Sequence, residues 1–367
     1  MTIYDKYQLK QVINASGKMT ILGVSKVRST VFEAQQLGGN TFFEMSELLK
    51  QTGDYVGQLL KAESATITSS ASAGIALSVA ALIGQGDTYH VYHPYTDRIT
   101  KREIVLPKGH NVNYGTGVDV MIEQGGGVVV EAGYANECSK EQVEMEITEK
   151  TAALLYIKSH HTVQKSMLSI QEMVEVAKAH ELPLIVDAAA EEDLFKYIEL
   201  GANLVIYSGA KAIEGPSSGL VVGKKDYIRL IQLQNKGLGR SMKIGKDNIL
   251  GLVVAIESYL TEGSESGESM KQRLSPFIEA LNGIPGLVAK VVQDPAGREI
   301  YRAEVNFNDS PVTAFEAVSG LKEGNVAVYT RDYQANNGKI EFDIRQVDES
   351  EMATIVSKLK KIVSEEK

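Results

Sequence analysis

Two short apolar runs near the middle of the chain, each ending in polar residues, constrain its fold more than any other feature. The first run, 182–190, contains Asp187, and the second, 204–211, ends with Ser208 and Lys211. Short runs rich in β-branched residues are typical of strands buried in a parallel sheet, and the interval between these two leaves room for one helical crossover. Because ligands of open α/β sheets bind at the carboxyl ends of strands, we expect Asp187 and Lys211 to face one pocket.

A carboxylate and an amine at neighbouring strand ends are suited to pyridoxal 5'-phosphate (PLP). A lysine amine forms a Schiff base with the PLP aldehyde, which predicts Lys211 as the point of attachment. A buried carboxylate keeps the pyridinium nitrogen protonated, which predicts that Asp187 binds the ring and assists catalysis. Taken singly, Asp187 could cap a turn and Lys211 could be a surface residue. Together with Ser208 they resemble the fold-type I PLP-dependent enzymes, in which the residue matching Ser208 contacts the cofactor phosphate.

Length and composition favour a globular protein with more than one domain. The 367 residues exceed what one simple core usually accommodates. The net charge of −9 argues against a large nucleic-acid footprint, so no nucleic-acid partner is expected. The single cysteine, Cys138, excludes an intrachain disulfide and is consistent with a reducing compartment. Because the sequence contains neither an apolar leader nor a membrane-spanning run, we expect a cytoplasmic protein with no membrane partner.

A turn of small residues is a candidate site for the cofactor phosphate. It lies between a predicted strand at 65–68 and an apolar helix. The N–H groups at a helix N-terminus carry a partial positive charge that binds phosphate, and small residues let the backbone approach closely. We therefore select Ser70, Ala71 and Ser72 as phosphate contacts. The alternative is an ordinary helix cap whose small residues serve packing.

Three histidines follow predicted strands and are candidates for site residues. His110 follows the strand 104–107, in the region where fold-type I enzymes place a flat side chain on the cofactor ring; a solvated loop histidine is the alternative. His160 and His161 follow the strand 152–157. Adjacent histidines can bind a metal, but the spacing of a zinc site is absent, so no metal is predicted. Substrate or cofactor contact at the same sheet edge fits the pair better.

Five basic residues in the second half of the chain are candidates for binding substrate anions. Arg240, Lys243 and Lys246 form a locally basic segment in an acidic chain, which is suited to a phosphorylated substrate; an ordinary solvated loop is the alternative. Arg331 and Arg345 end two predicted strands. An arginine in such a position can bind a carboxylate through two parallel hydrogen bonds, and an ion pair at the rim is the alternative.

The order of the predicted elements divides the chain into three parts. We expect an N-terminal segment at 1–50 that belongs to the small domain or to a dimer interface, a large PLP-binding domain at 51–250, and a C-terminal α+β domain at 251–367. The predicted fold class is α/β, with a three-layer, fold-type I PLP-dependent transferase-like domain around a mainly parallel sheet and a smaller C-terminal domain.

Several motifs narrow the resemblance to one branch of the fold-type I enzymes. Residues 63–350 resemble the branch that contains bacterial selenocysteine synthase and D-glucosaminate-6-phosphate ammonia-lyase, and the ammonia-lyase is the more similar of the two. The motifs that carry this resemblance are found at 68–74, 158–161, 186–192, 208–211, 239–246, 329–333 and 343–345.

The resemblance implies a PLP-dependent ammonia-lyase that eliminates water and then ammonia from a phosphorylated amino-sugar acid. The expected substrate is D-glucosaminate 6-phosphate and the expected product is 2-keto-3-deoxygluconate 6-phosphate. In this interpretation Lys211 removes the Cα proton, and His160 or His161 protonates the leaving hydroxyl. The basic segment binds the 6-phosphate, and Arg345 binds the carboxylate.

Other reactions remain open at this point, because a PLP fold alone does not fix the reaction type. The alternatives are a transferase that acts on an aminoacyl substrate, as selenocysteine synthase does, another PLP lyase, an aminotransferase, or a non-catalytic PLP-fold protein. The resemblance also implies a homodimer or a larger homo-oligomer, since sites of this fold usually lie at a subunit interface.

Overall fold

The computed structural model describes residues 1–294 and 299–365, and its internal contacts divide the chain into two compact units. The large unit is formed by 27–262. The small unit combines the N-terminal 1–26 with the chain from residue 263 onwards. Within the described residues no helix is long and apolar enough to cross a membrane.

The described strands are short and are listed here in chain order: β1 (Gln11–Ala15), β2 (Ser64–Thr68), β3 (Glu103–Pro107), β4 (Val128–Ala132), β5 (Thr151–Ile157), β6 (Leu184–Asp187), β7 (Leu204–Ser208), β8 (Gly219–Gly223), β9 (Val288–Gln293), β10 (Tyr301–Asn306), β11 (Val326–Thr330) and β12 (Lys339–Phe342).

The described α-helices are α1 (Ile3–Tyr7), α2 (Ser29–Asn40), α3 (Met45–Leu59), α4 (Ala71–Gly84), α5 (Thr88–Tyr92), α6 (Val118–Gln124), α7 (Lys140–Met145), α8 (Ile170–Ala179), α9 (Lys196–Leu200), α10 (Lys225–Leu233), α11 (Lys246–Glu262), α12 (Gly267–Asn282), α13 (Ala314–Leu321) and α14 (Glu349–Glu365). Short 3-10 turns occur at 20–22, 108–110, 234–236, 238–242 and 335–337.

The large unit is built on a sheet whose described strands lie in the order β2-β8-β7-β6-β5-β3-β4. Each neighbouring pair from β7 through β6, β5 and β3 to β4 is parallel, whereas β8 runs antiparallel to both of its neighbours. The mainly parallel α/β sheet predicted from the sequence is therefore confirmed. The crossover between β6 and β7 contains one helix, as expected; this helix, α9, is five residues long.

Successive residues of one strand pack into two different apolar clusters, which gives the large unit three layers. In β6, Ile185 belongs to the cluster that contains α4, α6 and α10. Its neighbours Leu184 and Val186 belong to the cluster that contains α3, α8 and α11. All three side chains have no exposed surface, as expected for a parallel sheet with helices on both faces.

The small unit is an α+β arrangement, as predicted. Its antiparallel sheet has the order β12-β10-β9, and β1 pairs in parallel with β11. Helices α12, α13 and α14 bury their apolar faces in its core, where Phe277 packs edge-on against Phe342 at 5.7 Å between ring centroids.

The boundaries between the units differ from the predicted boundaries at 50 and 250. The chain enters the large unit at 27 and leaves it at 262. The reason is that α2 and α11 pack along each other inside the large unit, although α2 falls within the predicted N-terminal segment. The expectation that the N-terminal segment joins the small unit therefore describes 1–26 rather than 1–50.

Candidate active site

Polar residues at the carboxyl edge of the large sheet line up across neighbouring strands. Ser208 ends β7 and is paired with Gly219 of β8, which is paired in turn with Thr68 of β2. Asp187 ends β6, the other neighbour of β7. Lys211 follows Ser208 in a turn, where its N–H donates to the Ser208 carbonyl at 3.3 Å. Ser208, Asp187 and Lys211 thus lie along one edge of the sheet.

The Asp187 carboxylate is buried, and its surroundings shift its pKa. Its exposed fraction is 4%. Its Oδ1 accepts the Ala189 N–H at 3.1 Å, and its Oδ2 accepts the Tyr114 hydroxyl at 3.3 Å. Burial raises the pKa of Asp187 to about 6, while the Lys211 charge and these two hydrogen bonds act to lower that pKa. The Lys211 charge therefore lies near enough to influence the charge state of this carboxylate.

Lys211 is held in a turn that leaves its backbone little freedom. Gly209 donates its N–H to Ser218 at 2.9 Å and accepts from Gly215 at 2.7 Å. A Cβ at Gly209 would lie 2.1 Å from Ser218 Oγ and 2.7 Å from a methyl of Leu252, so a side chain here would force both neighbours to move. Glu214 adopts a φ of +56°, a left-handed conformation that costs energy for a non-glycine residue. Such strain clusters at functional sites, which fits a lysine that must present its amine at a fixed place.

The small-residue turn predicted to bind phosphate forms the N-terminus of α4. Ser70 is the N-cap, and its Oγ accepts the Ala73 N–H at 3.0 Å. The N–H groups of Ala71 and Ser72 belong to the first turn, whose donors have no partner within the helix. A Cβ at Gly219 would lie 2.2 Å from the Ser70 carbonyl, so a glycine here lets the turn lie directly against the sheet edge. This cradle of donors beside Ser208 fits a phosphate group.

His110 lies in a different environment from the one predicted. It has no exposed surface, and its ring packs edge-on against Tyr156 at 4.4 Å between centroids. Its Nε2 lies 3.2 Å from the Val163 carbonyl, and burial lowers the pKa of His110 to about 4. A side chain without an exposed face cannot cover a bound ring unless it moves. The structure therefore does not support the prediction that His110 lies against the face of the cofactor ring.

The aromatic side chain that does reach this region is Tyr114, which the sequence reasoning missed. Its hydroxyl contacts Asp187, and its half-buried ring packs with the apolar cluster of α4 and α6. The signal in the sequence was weak, because one tyrosine in the polar and glycine-containing loop 111–117 resembles many surface tyrosines.

His160 and His161 are exposed in the loop that follows β5, with ring centroids 3.9 Å apart. Ile157 of β5 is paired with Asp187, which places this loop at the same sheet edge. The Thr162 hydroxyl anchors the loop by donating to the Ser159 carbonyl at 2.7 Å. Contact with a substrate at this edge remains a prediction for both histidines.

The three residues of the basic segment differ in their surroundings. Lys246 donates its ammonium group to the carbonyls of Gly38 and of Gly39, the latter at 2.8 Å. These carbonyls lie in the last turn of α2, so Lys246 serves as a cap for that helix, and its assignment to the substrate phosphate is not supported. Arg240 and Lys243 expose their side chains, and phosphate binding by these two remains a prediction.

The two predicted carboxylate-binding arginines lie in the small unit. Arg331 donates to Glu341 at 3.2 Å and stacks over Tyr333. These contacts agree with the alternative interpretation of Arg331, an ion pair at the rim, rather than with a carboxylate-binding role. Arg345 binds Asp343 through Nε at 2.9 Å and Nη2 at 2.8 Å.

The chain matches known proteins along most of its length. The family model described as SelA, L-seryl-tRNA selenium transferase, matches residues 49–275. The chain belongs to the SelA family. The D-glucosaminate-6-phosphate ammonia lyase of Salmonella typhimurium is 47% identical over 98% of this chain and 97% of its own length.

A second relative and a solved structure extend this SelA-family match. The 5'-C-glycyluridine monooxygenase-decarboxylase of a Streptomyces species is 32% identical over 98% of this chain and 92% of its own length. A solved structure of D-glucosaminate-6-phosphate ammonia-lyase has a TM-score of 0.94 and 46% identity, covering 100% of this chain and 99% of the other. The resemblance and the fold class predicted from the sequence are both confirmed.

Replacing Gly219 tests the phosphate cradle of this SelA-family chain. In Gly219→Ala the new Cβ would meet backbone atoms, the Ser70 carbonyl at 2.2 Å and the Ala71 nitrogen at 2.6 Å, so the turn must shift. We expect the Kd for PLP to rise at least about tenfold in equilibrium dialysis, because the donors leave their places. Gly39→Ala is the control, since its Cβ meets no atom within 4 Å. Equal PLP affinity in both variants would contradict the cradle.

The titration of Asp187 predicts the pH dependence of PLP binding. With the pKa of Asp187 raised to about 6, the carboxylate is ionised above that pH and neutral below it. A neutral carboxyl cannot pair with the pyridinium, so the Kd for PLP should rise about tenfold per pH unit below 6. The profile of Asp187→Asn, measured in parallel, isolates this effect from titration of PLP itself. A wild-type profile parallel to that of Asp187→Asn would rule out the pairing.

Proposed function

We propose that the chain is a PLP-dependent ammonia-lyase that converts D-glucosaminate 6-phosphate into 2-keto-3-deoxygluconate 6-phosphate and ammonia. The observation that carries this proposal is the buried Asp187 beside Lys211, in a chain 47% identical over nearly its full length to an ammonia lyase of that substrate. The relative at 32% identity is named for a different reaction, so family membership alone would not select this one.

The residues at the sheet edge fit PLP. Lys211 would hold the aldehyde, Asp187 the ring nitrogen, and the first turn of α4 with Ser208 the phosphate. When bound, PLP withdraws electrons from the Cα of an amino substrate and so makes the Cα proton acidic.

The chain supplies the proton transfers of the reaction. The Lys211 amine would remove the Cα proton as a general base. Elimination also requires a proton at the departing 3-hydroxyl oxygen. His160 and His161 are candidates, because imidazole changes charge near neutral pH. Loss of water across C2 and C3, followed by hydrolysis at C2, then releases ammonia and the 2-keto-3-deoxy product.

The small unit supplies a candidate anchor for the substrate carboxylate. Asp343 is 1% exposed and accepts from Arg345 and from the Nε of buried Arg302, the latter at 3.2 Å. Arg302 also donates to Asp294 at 3.0 Å, so Asp343 is itself fixed. Burial raises the pKa of Asp343, but Arg345 and Arg302 outweigh it and hold that pKa below its usual value. The ionised Asp343 thereby orients the Arg345 guanidinium.

The surroundings of Arg345 suit a carboxylate. Arg345 lines a small cavity together with Lys18, Asn14, Gln346 and Asp343, so that two positive charges and two amide groups surround the carboxylate that holds Arg345. A guanidinium whose orientation is fixed by a buried carboxylate, with a second positive charge nearby, can bind a substrate carboxylate with defined geometry. We assign the substrate carboxylate to Arg345 on this basis.

We also propose that the chain works in the cytoplasm as a homodimer or larger homo-oligomer. Phe32, Leu37 and Phe42, which lie close together in the sequence, are each at least 60% exposed. Contiguous exposed apolar patches mark interaction sites, and this segment is the one we propose for the subunit contact.

Chemical trapping of the cofactor tests the proposal directly. PLP-loaded protein reduced with borohydride should carry a pyridoxyl group on Lys211, as read by peptide mass mapping. Lys158, which follows the neighbouring strand β5, is the internal control and should remain unmodified. With D-glucosaminate 6-phosphate the intact enzyme should release ammonia and the keto acid in equal amounts, and Lys211→Ala should release neither. Salt-dependent binding of a tRNA would instead favour the transferase alternative.

A second variant tests the site for the substrate phosphate. Lys243→Ala should raise the KM for the phosphorylated substrate about tenfold and leave the KM for its dephosphorylated analogue unchanged, since one charge-assisted contact is lost. Lys236→Ala removes another exposed lysine a few residues earlier and serves as the control. Equal effects of Lys243→Ala on both substrates would remove Lys243 from the phosphate site.

A further inference from the structure

The loop that precedes α6 brings a second polar side chain to Asp187, and the reaction described above gives it no role. The Tyr114 hydroxyl donates to Oδ2 of Asp187 at 3.3 Å, while the Ala189 N–H donates to Oδ1 at 3.1 Å. Each carboxylate oxygen therefore has one donor from the protein. Because a carboxylate oxygen can accept more than one hydrogen bond, both oxygens keep capacity for the N–H of a pyridinium ring.

The local backbone explains why Tyr114 reaches the sheet edge. Asn113 and Gly117 form an antiparallel bridge, and between them Gly115 adopts a φ of +122°, which favours glycine. The turn is closed by a hydrogen bond from the Gly115 N–H to the Asn113 side chain at 2.9 Å and by one from the Tyr114 N–H to Thr116 at 3.2 Å. Tyr114 thus projects from a tight, internally bonded turn.

The surroundings of Tyr114 keep its hydroxyl a donor. Burial and the negative charge of Asp187 raise the pKa of Tyr114 above its ordinary value. The hydroxyl is therefore protonated throughout the pH range in which Asp187 titrates. The same hydroxyl lies 3.8 Å from the sulfur of Met121, a weak acceptor, so the carboxylate is its stronger partner.

We propose that Tyr114 is a positioning residue for the cofactor, acting through Asp187: its hydrogen bond fixes the plane of the carboxylate and favours the charged form that binds the pyridinium. A carboxylate held by one donor could rotate, whereas donors on both oxygens define its orientation. A hydrogen bond to the charged form also stabilises that form relative to the neutral one. This inference rests on the proposed PLP chemistry and adds a residue to it.

The test compares Tyr114→Phe with Tyr156→Phe. Each variant loses one hydroxyl, and the Tyr156 hydroxyl also makes a 3.3 Å hydrogen bond, but to the Leu168 carbonyl. The readout is the Kd for PLP against pH, by absorbance titration of the cofactor-free protein. Tyr114→Phe should move the midpoint upward by about one pH unit, which raises the Kd about tenfold at pH 5 and about twofold at pH 7. Tyr156→Phe should leave the midpoint unchanged.

Combining both changes separates positioning from a general structural role. In the Asp187→Asn background, Tyr114→Phe should alter the Kd for PLP less than about twofold, because the group through which Tyr114 acts cannot ionise. The inference is overturned if Tyr114→Phe matches wild type, or if it weakens binding equally in both backgrounds. Wild-type protein that binds no PLP at all would instead overturn the proposed function, so the two failures are distinguishable.

Discussion

The buried carboxylate of Asp187 is the constraint on which the rest of the site depends. Burial raises its pKa from 3.8 to about 6, which corresponds to about 3 kcal/mol against the ionised form at neutral pH. A sheet edge that served stability alone would gain nothing from such a residue. The cost is understandable if a cationic ring binds there, because the pairing would offset it. The Lys211 charge and the hydrogen bond from Tyr114 act to lower that pKa and so reduce the cost within the protein.

The geometry around that carboxylate follows from how closely backbone segments approach one another. Strands β6, β7 and β8 fix the lateral positions of Asp187, Ser208 and Gly219 through their register. The absence of a side chain at Gly219 then lets the first turn of α4 rest against the sheet, and Gly209 lets the Lys211 turn close. At both positions a methyl group would collide with neighbouring atoms. The two glycines therefore matter because they allow close packing, not because they make the backbone flexible.

Much of the central architecture could be predicted from the sequence, because buried parallel strands are continuous apolar runs whatever their neighbours. The run that became β6 places Asp187 at the sheet edge by a general topological rule. The assignments that the structure does not support involve partners distant in sequence. Lys246 caps α2, whose last turn lies some 200 residues earlier, and His110 is buried by Tyr156. No local pattern encodes such contacts, and the misplaced domain boundaries have the same origin in the packing of α2 on α11.

The distribution of candidate residues between the two units bears on how one scaffold supports different reactions. The residues that fit the cofactor, including Asp187, Lys211 and the turn at the start of α4, belong to the large unit. The candidate carboxylate anchor, Arg345 with Asp343, belongs to the small unit and is fixed by its own buried ion-pair network. Asp187 accepts its side-chain hydrogen bonds from Ala189 and Tyr114, both in the large unit, so a substitution at Arg345 removes neither of these donors. On the proposed assignments, a change of the substrate anchor therefore requires no change in the residues that would hold the cofactor.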